Sequence, residues 1–143
     1  MPTIADIQQR VHTYLPKFVR SYETTDNGVI AIREGSARVF ISCLDWGDGN
    51  VLVDIRALVA IDVPPSPELF KWVAESSYNV GALNTVDNDK GLVDIFLSHK
   101  LLGDFMDPDE FEIAVVLVGR TANQIDDEIK ATYGGSRFHE DGG

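Results

Sequence analysis

Between residues 29 and 63 the chain carries three runs rich in Val and Ile, 29–33, 37–44 and 51–63. They are separated only by Glu34-Gly35-Ser36 and by Asp45-Trp46-Gly47-Asp48-Gly49-Asn50. Parallel neighbours need a crossover of a dozen or more residues, so links this short predict an antiparallel three-strand meander. Alternation then sorts the side chains. Val39, Ile41 and Cys43 share one face with Val53, Ile55, Ala57, Val59 and Ile61, which is the expected core face. The opposite face is mixed, with Arg38, Phe40 and Leu44 from one run and Leu52, Asp54, Arg56 and Leu58 from the next.

Helical periodicity brackets this meander. Thr3 with Asp6 reads as a cap, and Ile4, Ile7, Val11, Tyr14, Leu15 and Phe18 follow at helical spacing, with Pro16 predicting a kinked final turn. The 23–28 segment has turn composition. After Pro64-Pro65, the run Ser66-Pro67-Glu68 predicts a second helix whose apolar stripe is Leu69, Phe70, Val73 and Ala74 and runs out near Asn79-Val80-Gly81. Residues 83–86 and 92–99 flank Asp87-Asn88-Asp89-Lys90-Gly91 as a second hairpin. Asp107-Pro108-Asp109-Glu110 opens a long helix through Phe111, Ala114, Val115, Val118, Ala122, Ile125 and Ile129, stopped by Gly134-Gly135. Residues 115–118 alone also read as a strand, but the longer period and both caps favour helix. The predicted class is α+β, in the order helix, three-strand meander, helix, two-strand hairpin, long helix. A single domain is expected over 1–135, with a flexible polar tail at 136–143.

At 143 residues such a domain buries roughly two-thirds of its unfolded surface without needing a disulfide, and the single Cys43 permits no intramolecular one. The net charge is −11, with 12 Lys+Arg against 23 Asp+Glu. Residues 1–72 hold seven basic and nine acidic side chains, and residues 73–143 hold five and fourteen. Phosphate backbones must be met by cations, so nucleic acid is an unsuited partner. No run approaches the ~18 apolar residues of a membrane span, and the N-terminus has no signal-peptide pattern, so the expected location is the cytoplasm, without membrane association.

Catalytic chemistry leaves little trace. Neither a Walker A run nor Gly-x-Gly-x-x-Gly occurs. His12, His99 and His139 are isolated, which implies no metal site. With Asp87 as first ligand, a calcium loop would need Gly at Leu92 and Glu at Ser98, and has neither. Cys43 is expected in the core as an inert thiol, and Ser98 and His99 point to opposite faces of a strand. The final Gly142-Gly143 reads as a chain end without the strand exit of a conjugating tail. No enzyme activity and no cofactor are expected.

The mixed face of the meander is the candidate site. A sheet of this size covers one side with its helices, so Phe40, Leu44, Leu52 and Leu58, with Trp46 at the hairpin tip, call for a partner. In the competing arrangement Arg38 and Arg56 pair with Asp54 and lie over a modest patch.

The element order resembles the type III secretion chaperones and the YbjN proteins over about residues 3–135. It is carried by the meander 29–63, the Pro64-Pro65-Ser66-Pro67 break and the ending Arg120-Thr121-Ala122-Asn123-Gln124-Ile125-Asp126-Asp127-Glu128-Ile129 with Tyr133-Gly134-Gly135. That ending looks like the Ala-Asp…Gly-Gly helix end of YbjN-type proteins, with Asn123 in the Asp position. The resemblance implies a small, acidic, homodimeric and non-enzymatic protein that holds a segment of an unidentified client protein or peptide on its helix–sheet surface. Phe40, Leu44, Trp46, Leu52, Leu58, Arg38 and Arg56 are the expected contacts. The alternative is a regulatory interaction protein whose acidic C-terminal half docks a basic partner.

Overall fold

In the computed structural model, which describes residues 3–34, 37–78 and 81–133, the first helix is closed by a reciprocal cap. The Asp6 amide donates to Thr3 Oγ1 at 3.1 Å and the Thr3 amide donates to Asp6 Oδ2 at 2.9 Å. Helix α1 (Ile4–Tyr14) buries Ile7 and Val11, and the chain tightens into a 3₁₀ turn at Leu15–Lys17, where Pro16 removes an amide donor.

Three strands follow as the meander predicts: β2 (Ile30–Glu34), β3 (Ala37–Gly47) and β4 (Asn50–Val63). A two-residue strand β1 (Glu23–Thr24), which the sequence reading assigned to a turn, precedes them and pairs with Ala31 and Ile30. The β3–β4 link is tighter than its composition suggested. Asp48 (φ 53°) and Gly49 (φ 78°) form a two-residue turn of the type that matches strand twist, so the strands run on to Gly47 and Asn50. Alternation holds in β4 through Ala57 and then slips at irregularities between Leu58 and Ala60 and between Ala60 and Val63. Val59, Ala60 and Val63 are consequently all buried, and Ile61, expected in the core, is displaced from it.

Helix α2 (Pro67–Glu75) is capped by Ser66 Oγ, which accepts from the Leu69 amide at 3.1 Å. It ends earlier than expected, and it turns Leu69, Trp72 and Val73 inward, leaving Phe70 exposed along with Ala74. Residues 69, 70, 73 and 74 cover two adjoining stripes, and periodicity alone does not choose between them. Strands β5 (Ala82–Asp87) and β6 (Val93–Leu102) form the second hairpin, with β6 also antiparallel to β4. The sheet order is therefore β1-β2-β3-β4-β6-β5. At Gly81 (φ +71°) a Cβ would lie 2.6 Å from the Ser98 carbonyl oxygen, so only glycine lets the chain enter β5 this close to β6.

After a 3₁₀ turn (Gly103–Phe105), α3 (Pro108–Tyr133) starts where Asp107 Oδ1 accepts from the Glu110 amide at 2.7 Å. Residues 115–118 are helical. Phe111, Val115, Val118, Ala122, Ile125 and Ile129 join Ile7, Val11, Leu15, Leu69 and the inward residues of β2, β3, β4 and β6 in one buried cluster. All three helices thus lie against the same face of the sheet. The expected Gly35-Ser36 turn, the Asn79-Val80 position, the Gly134-Gly135 stop and the 136–143 tail with Gly142-Gly143 lie outside the described residues.

Candidate functional site

Strand register organises the outer face into rows. Arg38, Leu58, Phe96 and Asn84 lie side by side, followed by Phe40, Arg56, Ser98 and Ala82, then Ser42, Asp54 and Lys100, then Leu44, Leu52 and Leu102. The short Ser42 and Asp54 side chains sit between the bulkier rows. They leave an open hollow of about 480 Å³ lined by Val29, Phe40, Ser42, Leu44, Asp54, Arg56, Leu58 and Phe96. The leucine row forms one bank, with Leu44 39% and Leu102 52% exposed, and Trp46 stands 62% exposed at the hairpin end.

Asp54 lies at the floor, only 5% exposed. Its Oδ2 is 3.2 Å from Arg56 Nη2 and its Oδ1 is 3.7 Å from Lys100 Nζ, while Oδ1 has no hydrogen-bond donor. The Arg56 guanidinium also stacks over the Phe96 ring at 5.2 Å. A buried carboxylate is tolerated here because two cations neutralise it from above.

Residues 5–141 match the family described as T3SS (YopN, CesT) and YbjN peptide-binding chaperone 1, or TY-Chap1. The chain belongs to the TY-Chap1 family. Its fold is shared with solved structures of low sequence identity. SycH of Yersinia pestis, solved in complex with a stable fragment of YscM2, has a TM-score of 0.54 at 10% identity, over 82% of this chain and 98% of that one. YbjN of E. coli gives 0.59 at 14%, over 87% and 91%, and the ExsC–ExsE complex gives 0.55 at 13%, over 89% and 96%. An uncharacterized protein of Aquifex aeolicus (strain VF5) is 29% identical over 92 residues, 64% of this chain, and the chain spans 37% of that protein's length. The resemblance read from the sequence and the α+β class are thus both correct.

On this TY-Chap1 chain the anticipated contacts divide. Phe40 and Leu52 are half-buried, Leu44 and Trp46 are exposed, and Leu58, 8% exposed, is the floor of the hollow rather than a projecting contact. Arg56 makes the anticipated pair with Asp54. Arg38 does not: it lies two rows away beside the β1 edge, where its Nη2 reaches Glu23 Oε2 at 2.9 Å. Phe96, Lys100 and Leu102 complete the surface and were missed, because nothing local in the sequence says that β6 lies beside β4. Cys43, expected fully inside, is partly buried against the core, and that burial pushes its thiol up to about 11. Ser98 and His99 do fall on opposite faces, opposite Arg56 and Ile55 respectively. Among the described residues, three or more His, Cys, Asp or Glu nowhere gather as a metal site, and no helix is long and apolar enough to cross a membrane.

Proposed function

We propose that this TY-Chap1 chain is a non-enzymatic protein- or peptide-binding module that holds an extended segment of a client across the outer face of its sheet. One observation carries the reading. The three helices occupy the other face, while this one keeps Leu44 and Leu102 exposed in one row, with Leu44 on the bank of a hollow floored by Leu58. Exposed apolar groups at alternate strand positions suit the side chains of an extended segment. The SycH and ExsC structures, solved with a YscM2 fragment and with ExsE, support a binding role for the fold. Within this reading residues 1–135 are the binding domain, and truncation after residue 135 leaves client affinity unchanged in a direct binding assay.

The test is capture from native lysate by the full chain and by a Phe40→Ser/Leu44→Ser variant whose fold is verified by circular dichroism, followed by direct binding to each purified candidate. Leu58 is left intact because its burial would turn a polar replacement into a folding defect. Clients bound by the wild type and lost by the variant support the proposal. Clients retained by the variant at undiminished affinity place binding away from this face and overturn it.

A further inference from the structure

Resting on that reading, we propose that the segment selected by the outer face carries, at every second position, two acidic side chains flanked by apolar ones. In a chain whose acids outnumber its bases 23 to 12, the outward positions reverse the balance. Arg33 and Arg38 fall in one row, and Arg56 and Lys100 flank the hollow, against Glu23, Asp54 and Asp94. Asp94 is engaged at the far end, where its Oδ1 accepts from the Asp62 amide at 3.1 Å and from Asn88 Nδ2 at 3.2 Å.

Depth sharpens the asymmetry around the hollow. The Arg56 and Lys100 side chains are 44% and 47% exposed, whereas that of Asp54 is 6% exposed beneath them. A carboxylate arriving from solvent therefore meets two cations before it meets the buried anion. Lys100 Nζ, at 3.7 Å from Asp54 Oδ1, is too far for a hydrogen bond and keeps donors for an incoming acceptor.

Row spacing converts this into a pattern. Successive rows are two residues apart along each strand, about 7 Å, which is also the spacing of same-side residues in an extended ligand. A segment lying along β4 would set an apolar residue on the leucine row, acidic residues at the second and fourth positions onward near Lys100 and Arg56, and an apolar residue at the sixth onward near Leu58 and Phe96. A second copy of this chain fits less well. A two-fold contact through the same face would bring Arg56 and Lys100 toward their own counterparts.

The experiment is fluorescence anisotropy of labelled peptides with the full chain. The probe is an extended Leu-Ser-Glu-Ser-Glu-Ser-Phe core, compared with versions carrying Gln or Lys in place of Glu. The Glu peptide is expected to bind at least about tenfold tighter than the Lys peptide, with the preference shrinking several-fold between about 50 mM and about 500 mM salt. Asp54→Asn removes the buried anion and should tighten the Glu peptide several-fold, a gain that misfolding cannot mimic. Arg56→Gln/Lys100→Gln should weaken the Glu peptide about tenfold and leave the Gln peptide unchanged. If the Glu, Gln and Lys peptides bind equally, or Lys binds best, and all lose affinity in Phe40→Ser/Leu44→Ser, acidic selection is overturned while the face remains the binding surface. If no peptide binds, or none responds to Phe40→Ser/Leu44→Ser, both proposals fall. The same double substitution converting a dimer to a monomer in light scattering, with no peptide bound, would assign the face to self-association and overturn both.

Discussion

The two faces of this sheet are made by the same strands, yet they solve opposite problems. In β4, Val53, Ile55 and Ala57 point inward and are fully buried under the helices, while Leu52, Asp54 and Arg56 alternate with them toward the outside. The inner face is sealed by apolar volume from α1, α2 and α3. The outer face covers itself only in part, with Arg56 lying over Phe96 and both Arg56 and Lys100 over Asp54, and it leaves Leu44 and Leu102 in solvent. Period-two alternation lets one strand contribute to a dry core and to a charged, apolar-banked surface. Stability and recognition can then be changed independently, one side chain apart.

That separation can be broken by substitution. Phe111→Ala, at a ring fully buried among Tyr14 and Phe18, should lower unfolding free energy by about 3–5 kcal/mol in urea titration. Arg56→Ala strands the Asp54 carboxylate with only a distant Lys100, but the guanidinium is partly solvated, so a loss of about 1–2 kcal/mol is expected in the same measurement. Leu44→Ser, at an exposed outer position, should change stability by less than about 0.5 kcal/mol while reducing client affinity. Equal stability effects from Phe111 and Leu44 would erase the distinction between the faces.

The smallest expected effect is at the start of α1. Hydrogen bonds from the Thr3 amide and hydroxyl region hold Asp6 below its ordinary carboxyl value of 3.8. Because the folded-state value is the lower one, the stabilisation is fully present above 3.8 and is lost as pH falls through the folded value. Asp6→Asn should therefore flatten this part of the acid-unfolding profile, followed by circular dichroism, without moving the outer face.

Much of this architecture was readable in advance because its signals are local. The Thr3–Asp6 and Asp107–Glu110 caps, the Pro16 interruption and the short links of the meander each act within a few residues. What was not readable depends on partners distant in the chain. The placement of β6 beside β4 brings Phe96, Lys100 and Leu102 to the site across more than thirty residues, and alternation reports a strand's faces but never its neighbour. The slip after Leu58 that displaces Ile61 is likewise a pairing event, and at Asp62 (φ 56°) the backbone leaves the strand conformation that simple alternation assumes. The candidate site was consequently half legible: the β3 and β4 contributions were visible, the β6 bank was not, and Arg38 was drawn to Glu23 by a strand too short to announce itself.

The most direct test of client binding at the outer face is a two-dimensional NMR titration of the isotope-labelled chain with the Leu-Ser-Glu-Ser-Glu-Ser-Phe peptide. Amide shifts concentrated at Phe40, Ser42, Leu44, Asp54, Arg56 and Lys100 are the expected result. Shifts confined to the edge strands β1 and β5 or to α3, with those residues unmoved, would contradict it.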